Sequence, residues 1–147
     1  RALERTARID ETPGRIFPLA IEELGVRFGD APALISACEN FSHAELAARM
    51  RRYARWGLAQ GIAKGDVVCL LMPNRPEYLA IWLGRTRIGA VGALINTHLT
   101  GAALAHCLAV AGPRHILVDE TLAPGLDGLA TGARVITATK PLCLLQG

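Results

Sequence analysis

Apolar residues recur along the chain with two different periods. Phe17, Ala20, Ile21, Leu24 and Phe28 fall at helical spacing, which predicts a helix over residues 16–28, stopped by Gly29 and Asp30. Ala33 to Ala37 (ALISA) reads as a short strand. Ser42 lies three residues before Glu45, a capping box. The helix it opens buries Leu46, Met50, Tyr53, Ala54 and Gly57, and turns Glu45, Arg49, Arg52 and Arg55 to water. It ends between Gly57 and Gly61. After the Gly65-Asp66 turn, Val67 to Met72 (VVCLLM) is a continuous apolar run, the pattern of a strand covered on both faces. Pro76 suits the first position of a helix, with Asn74 as its expected cap. Tyr78, Leu79, Trp82 and Leu83 carry that helix inward to about Ile88. Then follow a strand over 91–95, a helix capped by Thr100 and running to about Ala111, and a strand over 115–119. A weak helix over 122–129 and a weak strand over 134–137 end the pattern.

Strand and helix thus alternate with short connections. That predicts an α/β fold: an open, mainly parallel sheet with helices on both faces. Residues 1–15 are polar and contain Pro13 and Gly14, and they read as an N-terminal arm. Residues 16–138 form the domain part, and 139–147 form a tail.

The stretch from Ile88 to Pro113 holds 26 residues without Asp, Glu, Lys or Arg, long enough to suggest a membrane span. Asn96, Thr97, His98, Thr100 and His106 interrupt it, and Gly89, Gly92 and Gly101 punctuate it. It is therefore expected to be a buried strand, a polar turn and a small-residue helix. With 51% hydrophobic residues the chain can build a core without a metal or disulfide staple. The net charge of +3 and the 5% aromatic content exclude a nucleic-acid surface on composition. Arg51, Arg52 and Arg55 form the one tight basic cluster, read as a solvated helix face. Cys38, Cys69, Cys107 and Cys143 lie 31 to 38 residues apart, so they make neither a zinc pair nor a CxxC motif. Free thiols fit a reducing, cytoplasmic setting.

No G-x-x-x-x-G-K-[ST], G-x-G, G-x-S-x-G or H-E-x-x-H occurs. Only Ser36 and Ser42 are present as serines, and the histidines at 43, 98, 106 and 115 have no ligand spacing. No metal site is expected. In open α/β sheets ligands bind beyond the carboxyl ends of strands. Asn74 and Arg75, Asn96 to His98, and Asp119 occupy such positions. Each also suits a plain turn or cap. On the residues alone this is an α/β domain with no assembled active site.

One segment is more specific. Gly65 to Leu108 reads GDVVCLLMPNRPEYLAIWLGRTRIGAVGALINTHLTGAALAHCL. A G-D turn leads to an apolar strand ending in M-P-N-R-P-E, then W-L-G, A-L-I-N-T and L-A-H-C-L. This resembles the N-terminal region of adenylate-forming (AMP-binding) acyl-CoA synthetases, closest to the fatty acid transport protein and very-long-chain acyl-CoA synthetase branch. Phe41 to Gly61 is similar to the preceding helix of that family, and the resemblance extends over about Ile16 to Asp119. It implies an α/β N-terminal subdomain and a two-step ligase. ATP and magnesium serve to join a fatty acid carboxylate to AMP, and the thiol of CoA then displaces the AMP.

The family's Ser/Thr/Gly-rich phosphate loop, its adenine contacts and its C-terminal catalytic lysine follow the stretch that matches, so no catalytic residue is assigned here. The expectation is an N-terminal fragment of a long-chain fatty-acid–CoA ligase, inactive alone and binding no cofactor alone. The implied partners are fatty acid and CoA, with peripheral membrane association and self-association. A non-catalytic binding module or a membrane-peripheral lipid-handling protein of the same fold is the alternative. The resemblance also implies that CoA passes over this subdomain, and Asn96, Thr97 and His98 are the candidate CoA-facing turn.

Overall fold

The computed structural model describes residue 14 and residues 16–138. The arm over 1–15, residue 14 apart, and the tail over 139–147 with Cys143 lie outside the described residues. Among the described residues four helices are present: α1 (Phe17–Phe28), α2 (His43–Ala59), α3 (Pro76–Arg87) and α4 (Gly101–Ala111). The strands are β1 (Pro32–Ile35), β2 (Asn40–Ser42), β3 (Val67–Leu71), β4 (Val91–Leu94), β5 (His115–Asp119) and β6 (Arg134–Ala138).

β3 to β6 form one parallel sheet in the order β4-β3-β5-β6. β3 pairs on both sides, Val68 standing opposite Gly92 on β4 and His115 on β5. Its unbroken apolar run follows from that position, because both faces of β3 are covered. Val68 and Leu70 join α1, α2 and α3 in one core with Ile21, Met50, Tyr53 and Ile81. Cys69 and Leu71 point into a second core with Leu104 and Leu108 of α4 and with Ile116, Val118 and Leu126. Helices therefore cover both faces, as the alternation predicts.

α2 starts on the predicted capping box: Ser42 Oγ accepts from Glu45 N at 3.1 Å, and Glu45 Oε2 accepts from Ser42 N at 2.8 Å. α3 crosses α2 closely at Gly84, where an added Cβ would stand 2.6 Å from Tyr53 Cβ and 2.9 Å from the Met50 carbonyl oxygen. α4 ends on Gly112, left-handed at φ 55° and ψ 50°, a conformation that glycine adopts without steric cost.

The sequence expectations need four corrections. First, the short strand over 33–37 does not join the parallel sheet. It is β1, and it pairs antiparallel with β2 in a separate hairpin. β2 has only three residues, too few for any period to show. Second, Arg75 rather than Asn74 is the N-cap of α3, with Pro76 at the first helical position. The residue before a proline is pushed to extended geometry, and Arg75 has φ −156° and ψ 163°. Third, the helix over 122–129 is a single 3-10 turn, Ala123–Leu126. Fourth, Thr100 holds the N-cap position of α4 without a side-chain capping bond. The charge-free stretch divides into β4, a turn and the 11-residue α4, and no helix among the described residues is long and apolar enough to cross a membrane.

Among the described residues the sheet is open at β4 and β6. Val91 and Leu94 on β4 are 53% and 52% exposed, and Val135 on β6 is 44% exposed. Such edges present unpaired backbone groups beside apolar side chains.

Candidate functional site

The strand order defines where a ligand site would be expected. β3 connects through α3 to β4 on one side, whereas β5 connects through the 3-10 turn to β6 on the other. The connections diverge between β3 and β5, so the crevice beyond their carboxyl ends is the switch point of the sheet. Two sequence candidates meet there although they lie 44 residues apart. Arg75 Nη2 donates to Asp119 Oδ2 at 2.9 Å. Asp119 is 1% exposed and its Oδ1 also accepts from Thr121 N at 3.1 Å and from Thr121 Oγ1 at 2.7 Å. The crevice is thus closed by a charge-balanced pair whose carboxylate is already saturated with donors.

Asn96, Thr97 and His98 lie at the same end of the sheet, but beyond the edge strand β4. Ile95 N donates to Leu70 O at 3.0 Å and ties the start of this turn to β3. Asn96 Oδ1 accepts from His98 N at 3.0 Å, and the Asn96 carbonyl accepts from Leu99 N at 3.2 Å. The Asn96 side chain therefore closes its own turn, as Asn commonly does. Its NH2 group, the Thr97 hydroxyl and the His98 imidazole have no hydrogen-bond partner among the described residues. Asn96 and His98 are exposed and Thr97 is half-buried. Asn74, exposed on the β3–α3 connection, lines a cavity of about 410 Å³ between the β1–β2 hairpin and the start of α3.

A polar cluster in the helical layer was not read from the sequence. Glu77 is 1% exposed. Its Oε2 accepts from Arg49 Nη1 at 2.7 Å and its Oε1 accepts from the Tyr53 hydroxyl, while its backbone N donates to Glu39 Oε2 at 2.8 Å. Arg49 also lies over the Phe41 ring, 4.4 Å from its centroid. Burial, reinforced by Glu77, raises the Tyr53 phenol far above its ordinary range, so it stays a donor. The cluster pins the hairpin to α2 and α3, and all three elements contribute to it. A Glu in the first turn of a helix is an ordinary sight in a sequence, and nothing in the local pattern marks this one as buried. Arg85 is the second surprise, fully buried and stacked on Trp56 with its guanidinium 4.7 Å from the ring centroid.

These residues do not fit a nucleotide–magnesium site. Among the described residues no three His, Cys, Asp or Glu side chains converge as metal ligands. The switch-point crevice presents the saturated Asp119 and its paired Arg75 in place of free donors for phosphate.

An open parallel α/β layer with helices on both faces, and with no free phosphate-binding groups at its switch point among the described residues, is a scaffold of the doubly wound class. The chain belongs to the AMP-binding enzyme family, whose model matches residues 21–142. It is 33% identical to long-chain fatty acid transport protein 1 of Bos taurus over 121 residues, 82% of this chain and 18% of that protein. It is 35% identical over 92 residues to the long-chain-fatty-acid–CoA ligase FadD13 of Mycobacterium tuberculosis, 63% of this chain and 18% of that protein. Among solved structures, the N-terminal domain of FACL13 from Mycobacterium tuberculosis superposes with a TM-score of 0.82 at 26% identity, covering 90% of this chain and 36% of that one. The chain therefore spans about a fifth of the length of these curated relatives and about a third of that N-terminal domain.

Proposed function

We propose that these residues are the N-terminal structural layer of a fatty-acid–CoA ligase. The whole enzyme uses ATP and magnesium to join a long-chain fatty acid to AMP, and then passes the acyl group to the thiol of CoA. The observation that carries the reading is the likeness of the chain to part of the FACL13 N-terminal domain, together with the matched family model. The described layer contributes position rather than chemistry. It holds the carboxyl ends of β3, β4 and β5 in one rim, and the rest of the enzyme supplies the phosphate-binding groups and the catalytic lysine. The exposed edges at β4 and β6 support this, because they suit a sheet that continues into more protein.

The 147-residue chain alone is expected to form no acyl-CoA from long-chain fatty acid, ATP, magnesium and CoA. Acyl-CoA formation by the purified chain, read by mass spectrometry, would show that it carries its own chemistry and defeat the proposal. Within the whole enzyme, the Asn96-Thr97-His98 turn is the CoA-facing element of this layer. Replacing all three residues by Ala in a ligase that contains them is expected to raise the KM for CoA several-fold and leave that for ATP unchanged. An unchanged KM for CoA removes the turn from the site.

A further inference from the structure

β4 is an edge strand without the usual defences. A free edge is ordinarily blunted by a charge, a proline or a bulge. Ile88 to Pro113 contains no Asp, Glu, Lys or Arg, β4 contains no Pro, and its register on β3 runs unbroken from Val67↔Val91 to Leu70↔Leu94. Val91 N donates to Asp66 O at 2.9 Å, and Ile95 N donates to Leu70 O at 3.0 Å. Backbone groups alternate in direction along a strand, so Val91, Ala93 and Ile95 turn theirs to β3, and Gly92 and Leu94 turn theirs outward. Those outward N–H and C=O groups have no partner among the described residues.

The side chains select the strand that fits there. Gly92 and Leu94 stand opposite Val68 and Leu70, so both belong to the sheet face that packs on α1, α2 and α3. Leu94 projects from that face half exposed. At Gly92 there is a slot instead, with Trp82 so close that an added Cβ would stand 2.9 Å from its Cδ1. A knob and a slot two residues apart on one edge are complementary to the same edge turned about a two-fold axis. With Ala93 on the axis, Gly92 falls opposite Leu94 and Val91 opposite Ile95. The backbone phase agrees, because in an antiparallel ladder residues with outward groups exchange both hydrogen bonds with the residue opposite. A slip of one residue would set outward groups against inward ones and lose every bond. In the matching register Leu94 lies against the partner's Gly92 and Trp82, and Val91 packs on the partner's Ile95 across the other face. Two such edges bring no like charges together, since the stretch carries none.

We propose that two copies of this chain join their β4 edges, antiparallel about a two-fold axis at Ala93, into one continuous sheet. The contact is isologous, the commonest kind in homodimers. Val91 to Ile95 on each side bury far less than the roughly 1,600 Å² of a standard interface, so the dimer is weak and reversible, with a dissociation constant on the order of 0.1 mM. The inference concerns the 147-residue chain and holds whether or not the ligase reading does.

Sedimentation equilibrium on the 147-residue chain, at concentrations about tenfold either side of that constant, is expected to show a reversible monomer–dimer equilibrium. Leu94→Lys and Val91→Lys, each at a half-exposed position outside both cores, are expected to weaken it at least about tenfold. Val135→Lys, on the opposite edge at β6, is expected to leave it unchanged. Amide exchange reads the register. Protection of Gly92 and Leu94 is expected to rise with protein concentration, and that of Val91 and Ile95, already bonded to Asp66 and Leu70, to stay as it is. A monomer at every concentration, a dimer that survives both β4 variants, or a dimer abolished by Val135→Lys would each overturn the proposal. So would protection of Gly92 and Leu94 that does not vary with concentration, the sign of an edge covered within one chain.

Discussion

Replacing Arg85 by Met is expected to stabilise the fold. The guanidinium is fully buried, and Nε, Nη1 and Nη2 all lack a hydrogen-bond acceptor among the described residues. Burial brings its pKa down from the ordinary arginine range to about 10, so it still carries a charge into the interior at neutral pH. That depression corresponds to about 3 kcal/mol of cost to the charged form. The stack on Trp56 returns up to about 2 kcal/mol where a cation is desolvated. The charge therefore costs about 1 kcal/mol net. Met keeps an unbranched apolar stem of similar length, and its sulfur regains about 0.3–1.5 kcal/mol against the ring. The expected gain is about 1–2 kcal/mol, or roughly 3–7 °C in Tm for a chain of this size. Urea unfolding followed by Trp fluorescence measures it, with an unchanged slope required for a clean comparison. The sign in pH follows from the depressed folded-state pKa. Below about pH 10 Arg85 is protonated in both the folded and the unfolded chain, so the advantage of Met is flat from pH 6 to 9. Above about pH 10 the folded wild type sheds the proton before the unfolded chain does and recovers the penalty, so the advantage shrinks. If Arg85→Met lowers the midpoint by about 1 kcal/mol or more, the guanidinium has an acceptor and the reasoning fails.

Gly84→Ala tests the close crossing of α2 and α3. Its Cβ would lie 2.6 Å from Tyr53 Cβ and 2.9 Å from the Met50 carbonyl, so a loss of about 2 kcal/mol or more is expected on urea unfolding, and a neutral result would mean that the helices part freely. His115, buried at the start of β5, has its pKa held below the ordinary 6.5 by burial first, and then by Arg114, Arg134 and Arg85. Its share of stability is therefore whole above pH 6.5 and lost as pH falls below that value. His115→Gln is expected to flatten the drop in urea midpoint between pH 7 and 5, and an unchanged drop would assign the dependence elsewhere.

The elements that were legible in the sequence are those whose signal is local. The Ser42–Glu45 box needs only four residues, and both of its hydrogen bonds form. The run from Val67 to Leu71 announces a strand covered on two faces, and its alternate residues do divide between two cores. β2 escaped because three residues carry no period, and what makes Asn40–Ser42 a strand is pairing with β1. Arg85 and Glu77 escaped for a related reason. Each occupies a helix position that would be unremarkable in water, and only the docking of α2 on α3 buries it.

The candidate site shows a different limit. Sequence alone flagged Asn74, Arg75, Asp119 and the Asn96–His98 turn, since each follows the carboxyl end of a strand, and favoured the turn. Strand order separates them. β5 rather than β4 lies on the switch-point side of β3, so Arg75 finds Asp119 at 2.9 Å and the pair fills the crevice. The turn after β4 is left at the edge, with the Thr97 hydroxyl and the His98 imidazole unengaged among the described residues. Periodicity cannot express that ordering, because a parallel strand looks the same at the centre of a sheet as one place to the side. The consequence for function is direct. The position that usually receives a nucleotide in a doubly wound sheet is here used to hold β3 against β5. The turn after β4 stands at the sheet edge, and Asn74 lines the cavity between the β1–β2 hairpin and the start of α3.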